Sequence, residues 1–418
     1  MTAPRFLSYC TTALTFAFWC ALLFLVWRAH GWFDWLGIDY GFFWAAARAF
    51  LASGPVAAYD LQMLTVQIQP LAAYSGQSSD PLRAAPVPYP PLFILLFTPL
   101  TLVPPVVGFL LWTFGNLLLA LSVIRGLASR WPNRPGVLIP SVLMFFPLGY
   151  TLFVGQVTII LLFGLYRAYR ALEQSRDFVA GLFAGLLLLK PQYALFLMLV
   201  FVLKRRWAAL QGMVLVGALI VLSNLALLGL SGLVAYYASW SYAVGFQNVH
   251  AIVLPQLMIN WRGLLVNFAP GLTEFQGLAL TFLLSALTAS ALLVIWQGAW
   301  NPEDRRFAGQ FFATMLITLL ASHHSHITGA ALLVVPGMAL AVRKGGPPLL
   351  QAILRIGLYS SPLVFLITKS TVLVSISFTA LLLVALAIIL VHGAFPSKVD
   401  PVGHLPCSFH SRPSGAAA

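Results

Sequence analysis

The chain has 418 residues and a formal net charge of +13, yet 60% of its residues are hydrophobic and only 8% are charged. Soluble domains carry about 25% charged residues, because a water-facing surface needs charge to stay solvated. A soluble, disordered or fibrous protein is therefore excluded, as is an outer-membrane barrel with its short alternating segments, and the expected class is an all-α polytopic membrane protein.

The first apolar segment, residues 6–27, is too long for a signal-peptide core and has no small-residue cleavage site. It reads as a retained first transmembrane helix. Cys10 and Cys20 lie in it and Cys407 in the tail, and without a CxxC spacing neither a zinc site nor a disulfide framework is expected.

Residues 28–90 form a long, less apolar first loop holding Asp34, Asp39, Asp60 and Asp80, four of the ten carboxylates of the chain. Within it, 39–51 reads as an amphipathic, aromatic-rich helix lying in the membrane interface. The apolar run 91–103 is stopped by Pro104 and Pro105, which break or kink a helix, and 106–124 follows as a full-length span. Further segments are expected at 137–149, 157–171, 178–189, 193–203 and 208–230, then a second long loop at 231–273. The last segments are 275–295, 307–321, 327–342, 352–367 and 371–391. Residues 1–395 are thus read as a single transmembrane domain and 396–418 as a flexible cytoplasmic tail.

Basic residues orient the segments. Clusters stand at Arg125/Arg130/Arg134, Arg167/Arg170/Arg176, Lys204/Arg205/Arg206, Arg305/Arg306 and Arg343/Lys344/Arg355. If all are cytoplasmic, the chain makes about twelve crossings with both termini inside, as a multi-pass protein of the plasma (inner) membrane. The positive charge is then a topology signal, and no nucleic-acid partner is expected.

This orientation gathers Asp34, Asp39, Asp60, Asp80, Gln156, Lys190, Asn260, Arg262, the three histidines of SHHSH and Lys369 on the extracytoplasmic face. Several spans are shorter than the roughly 20 residues of a full crossing, and the short pairs meet at Lys190-Pro191 and at His323–His326. Helices that stop short are tolerated where they line an enclosed or water-filled cavity, so an outward-opening cavity with cations at its wall is expected.

Asp39, in GIDYGFFW, has two readings: the N-cap of its helix or a general base facing a lipid substrate. Asp60, in AAYDLQ, reads first as a cap. Lys190 ends LLLLK against the positive-inside pattern, which suggests an anion partner, with snorkelling as the alternative. Arg262 and Lys369 are weaker versions of that argument. For His323, His324 and His326, hydrogen bonding to a phosphate or sugar competes with a polar hinge, and no metal site is expected, since no carboxylate or cysteine lies nearby in sequence.

In order and spacing, DYGFFWAAARAFLASG from Asp39, Ala58-Tyr59-Asp60, YPPLFILLFTPLTLVP from Tyr89, Gly155-Gln156, AGLFAGLLLLKPQ through Lys190, KRRW and SHHSH resemble the polyprenyl-phosphate-dependent glycosyltransferases of family 87. The late segment departs from that pattern at His323, where a proline is expected, and at Thr328-Gly329, where an acidic residue often follows; His324 is the best match there. The resemblance implies a GT-C-like fold and a metal-independent, cofactor-free, inverting transfer of a hexose, typically mannose. The donor would be a polyprenyl-phosphate-linked sugar and the acceptor a lipid or glycan. It gives Asp39 the role of general base and brings Lys190, His324, His326, Arg262, Gln156, Asp60 and Tyr89 into the donor-binding set. The competing readings are a secondary transporter or lipid flippase, against which stands the lack of a convincing internal repeat, and a catalytically dead lipid binder.

Overall fold

A computed structural model describes residues 3–76, 82, 84–129, 142, 145–241, 244–247, 253–342, 349–350, 364, 368 and 370–392. Residues 137–144 of the expected element 137–149, and the expected element 352–367, lie outside them apart from Val142 and Val364, as do Asp80, Lys369, Cys407 and the 396–418 tail.

The described residues form helices and no strands. Helix α1 covers Ala3–His30, α2 Ile38–Ser53, α3 Leu61–Ile68, α4 Pro91–Phe97 and α5 Pro105–Ala128. Next come α6 Phe146–Val154, α7 Thr158–Glu173, α8 Asp177–Ala184, α9 Pro191–Leu203 and α10 Trp207–Ser241. The last five are α11 Trp261–Phe268, α12 Glu274–Ile295, α13 Arg305–Ala321, α14 Val334–Val342 and α15 Thr371–Val391.

Among the described residues, four helices, α5, α10, α12 and α15, are long and apolar enough to cross a membrane. Their outward positions carry residues such as Phe114, Val221 and Phe282, each more than half exposed. Such surface is costly in water and suits a lipid environment. Shorter apolar helices accompany them, among them Asp177–Leu189 and Pro191–Leu203, which meet at Lys190, and Arg306–Ala321 and Ile327–Ala341, which flank the histidine segment.

Local chemistry sets the boundaries. Pro104 is the N-cap of α5 and Pro105 its first residue, so the proline pair ends one helix and begins the next. Thr273 and Gln276 form a capping box at α12. The expected span 178–189 changes character at Gly185, where α8 gives way to a 3-10 turn over Gly185–Leu189.

Two expectations are corrected. Helix α2 is not one-faced as an amphipathic helix would be: Tyr40, Phe43, Trp44 and Ala45–Ala47 are buried on successive faces, because it packs against α3, α4, α6 and the turns at Pro55–Tyr59 and Thr98–Thr101. The second long loop does not begin at residue 231. Helix α10 breaks at Gly229 (φ 64°, ψ −179°) and resumes to Ser241, so the first part of that stretch is helical.

The buried side chains of the described residues fall into two cores. The smaller is built by α2, α3, α4, the start of α5 and the end of α6. The larger is built by the rest of α5, by α7–α9, α13, residues 327–342 and α15. Helix α6 belongs to both, with Phe146 and Leu148 in the larger core and Phe153 and Val154 in the smaller.

Candidate active site

A cavity of about 410 Å³ lies along the seam between the two cores. Its polar wall includes Asp39, Tyr89, Gln156, Lys190, His324 and His326. Phe42, Phe43, Val154, Leu254, Leu257 and Val374 supply apolar wall.

Asp39 reaches the cavity from the first turn of α2. It does not cap that helix. The N-cap is Gly37, in the left-handed region at φ 77°, with no side-chain cap bond. The Gly37 N–H donates to the Phe153 carbonyl at 2.9 Å, joining the start of α2 to the end of α6. Helix α6 stops at Gly155, also left-handed at φ 78°. A Cβ on Gly155 would lie 2.7 Å from the Cβ of Tyr40, so only glycine allows this approach. Trp112 Nε1 pins the same turn by donating to the Gly155 carbonyl at 2.8 Å.

The turn presents Gln156 to Asp39. Gln156 Nε2 donates to Asp39 Oδ2 at 2.9 Å, and Gln156 Oε1 accepts from the Tyr89 hydroxyl at 2.8 Å and from the Val157 N–H at 2.9 Å. Tyr89 is steadied in turn by the Tyr59 hydroxyl, which donates to its carbonyl at 2.7 Å.

Lys190 enters from the break between the 3-10 turn and α9, which begins at Pro191. Its ammonium lies 6.0 Å from the ring centres of both Tyr89 and Tyr193. Burial lifts the Asp39 carboxyl to about 6, partly opposed by the Lys190 charge and the Gln156 hydrogen bond. Burial draws the Lys190 ammonium down to about 8, partly opposed by Asp39. Each charge thus moderates the desolvation of the other.

The histidine segment is tied down through its backbone. Asn260 Nδ2 donates to the carbonyls of Ser322 (2.7 Å) and His323 (3.1 Å), and the Ile259 N–H donates to the Ser325 carbonyl at 2.8 Å. Gln192 Nε2 donates to the His324 carbonyl at 3.3 Å. The rings of His324 and His326 stand edge to face at 4.8 Å. Burial holds both imidazoles neutral, with Lys190 and Arg262 adding to the effect and His326 reaching about 3. His323 also lines the cavity, with its Nε2 2.7 Å from the Val244 carbonyl and its ring stacked on Phe282.

Two residues assigned to donor binding do not line the cavity. Arg262 is fully buried, with Nε donating to the Phe246 carbonyl at 3.0 Å and Nη2 to the Gly245 carbonyl. With Glu274, which accepts from the Phe246 and Gln247 N–H groups, it shapes the turn next to Val244. Asp60 caps α3, accepting from the N–H groups of Gln62 (2.8 Å) and Met63 (3.2 Å). Sequence reasoning missed Gln192 and Tyr150, which both line the cavity. Gln192 stands in the same KPQ tripeptide as Lys190, a signal that was present; Tyr150 has no local signature.

The arrangement joins a half-buried carboxylate, an ammonium and two neutral imidazoles beside an apolar wall. It can take a proton from a hydroxyl and stabilise an anion leaving nearby. The sequence model of glycosyltransferase family 87 matches residues 88–322, more than half of the chain. Tyr89, Gln156, Lys190 and Arg262 fall inside the matched stretch, and Asp39, Asp60, His324 and His326 outside it. No curated protein and no solved structure matches the chain at a significant level.

Proposed function

The chain belongs to glycosyltransferase family 87, and we propose that it moves a hexose, with mannose the first candidate, from a polyprenyl-phosphate donor to a hydroxyl of a lipid or glycan acceptor. The reaction takes place at the extracytoplasmic face of the plasma membrane, in a GT-C-like fold of about twelve crossings.

Asp39 is the general base. It accepts the proton of the acceptor hydroxyl as that oxygen attacks C1 of the sugar from the side opposite the phosphate. The C1–O bond to phosphate breaks with inversion, and the electron pair leaves on the polyprenyl phosphate. Lys190 meets the growing charge, with His324 and His326 as neutral hydrogen-bonding partners of the phosphate or sugar. The apolar wall of Phe42, Phe43, Leu257 and Val374 suits a prenyl chain. Asp60 and Arg262 support the site through the backbone they hold. The observation that carries this reading is that a half-buried Asp39 and Lys190 line one partly apolar cavity and each moderates the other's desolvation.

The test is transfer from radiolabelled polyprenyl-phosphate mannose by protein in lipid nanodiscs, with a membrane extract as acceptor source. Wild type is expected to label a new product, and Asp39→Asn to lose roughly 10²-fold or more of that rate, the usual contribution of a general base. Equal transfer by both would displace Asp39, and transfer by neither would reject this donor.

A further inference from the structure

We propose that Gln156 is a positioning residue that selects Oδ1 of Asp39 as the proton-accepting oxygen, by engaging Oδ2 with an amide whose orientation is locked from its other side. This deepens the reading of Asp39 as the base and rests on it.

The lock follows from the chemistry of the partners. The Val157 N–H can only donate, so the Gln156 atom 2.9 Å from it must be the amide oxygen. The Tyr89 hydroxyl brings a second donor to the same oxygen at 2.8 Å. With both lone pairs of Oε1 engaged, the NH2 group faces Asp39 Oδ2 at 2.9 Å. A flipped amide would set two donors against each other at Val157 and turn an acceptor toward a carboxylate. The backbones are held as firmly, because Gly155 is pressed on Tyr40, the residue after Asp39, and Gly37 is bonded to Phe153.

Two consequences follow. Oδ2 is committed to the amide, whereas Oδ1 has no hydrogen bond from the described residues and is the oxygen free for an acceptor hydroxyl. When the proton arrives on Oδ1, the amide N–H stays on Oδ2, so the step needs no rearrangement behind the carboxyl. Gln156 also favours the ionised carboxylate against burial. Being an amide, it does so without a proton of its own to exchange near neutral pH, which a histidine or lysine there would bring.

The experiment reads the Asp39 carboxyl independently of catalysis. Dicyclohexylcarbodiimide modifies carboxyl groups in their protonated form, and modification of Asp39 in nanodiscs is followed against pH by peptide mass spectrometry. Wild type is compared with Gln156→Leu and Gln156→Glu. The second variant is near-isosteric and keeps an acceptor for Val157 and Tyr89, so it guards against a simple folding defect. The wild-type midpoint is expected near pH 6. It should rise by about one unit in Gln156→Leu and further in Gln156→Glu, where a second carboxyl faces the first. In transfer assays kcat should fall with its acid limb displaced in the same direction, while the donor KM stays within about twofold. An unmoved midpoint in Gln156→Glu, or a loss carried by donor KM alone, overturns the proposal, the latter in favour of sugar binding by Gln156. Transfer that survives Asp39→Asn would instead defeat the base assignment, and the labelling midpoint would still report whether Gln156 governs that carboxyl.

Discussion

Asp39 and Lys190 are each moved toward neutrality by burial and back toward charge by the other, to about 6 and about 8 respectively. The base must be ionised and the phosphate partner protonated, so activity should be lost as pH falls through about 6 and again as it rises through about 8. A bell-shaped profile of kcat/KM measured on transfer checks this. Lys190→Arg isolates the alkaline limb. A guanidinium stays charged at any accessible pH, so that limb should disappear or move well above pH 8 even if the turnover falls. A limb that stays near 8 in that variant would assign it to another group. The spacing of GIDYGFFW leaves the cap and base readings of Asp39 both open, since an aspartate at a helix start is compatible with either. What decides against the cap is Gly37, which takes the N-cap position two residues earlier, and Gln156, which binds the carboxylate from 117 residues away.

The elements are most legible where one residue type forces one geometry. Pro104 and Pro105 separate two helices, Asp60 caps α3, and Thr273 with Gln276 opens α12, all from local chemistry. Helix α2 is less legible. Its aromatic and alanine residues suggest one apolar face, but α3, α4 and the turns at Pro55–Tyr59 and Thr98–Thr101, joined by α6 from over a hundred residues away, bury it on several sides. The α6–α7 turn is the element on which the site hinges. Gly155→Ala places a Cβ against Tyr40 at a left-handed backbone position, a strain of about 1–3 kcal/mol. The expected result is a lower thermal midpoint in nanodiscs and a fall in transfer of roughly tenfold to a hundredfold, because Gln156 and Asp39 lose register. Wild-type stability and rate in that variant would show that the close contact is unimportant. Glycine acts differently between α8 and α10, where a side chain at Gly181 would collide with the Ala209 carbonyl and one at Gly212 with the Phe178 carbonyl. There small residues let two backbones pack closely, as they do between membrane helices.

For the molecule as a whole, the site lies where two separately packed cores meet, with the carboxylate on α2 of the smaller core and the histidine segment against the larger one. The proposed orientation puts this seam outside the cell, which impermeant labelling tests. With Cys10, Cys20 and Cys407 changed to serine, Gln62→Cys, at an exposed position on α3, should react with a membrane-impermeant maleimide added to intact cells. Reaction only after permeabilisation would turn the molecule over and remove the extracytoplasmic site. Scarce charge and long apolar runs admit only a membrane-helical chain, so the class of this protein is legible in its sequence, and so is the oddity of Asp39, Lys190 and the histidines within such a chain. Which partners those residues meet is set by the fold. It brought Gln156 and Tyr89 to Asp39, turned Arg262 onto the carbonyls of Gly245 and Phe246, and left Asp60 as a cap. Apolarity and capping are carried by neighbouring residues, whereas the partner of a buried polar group depends on which distant backbones can approach closely enough to share a hydrogen bond.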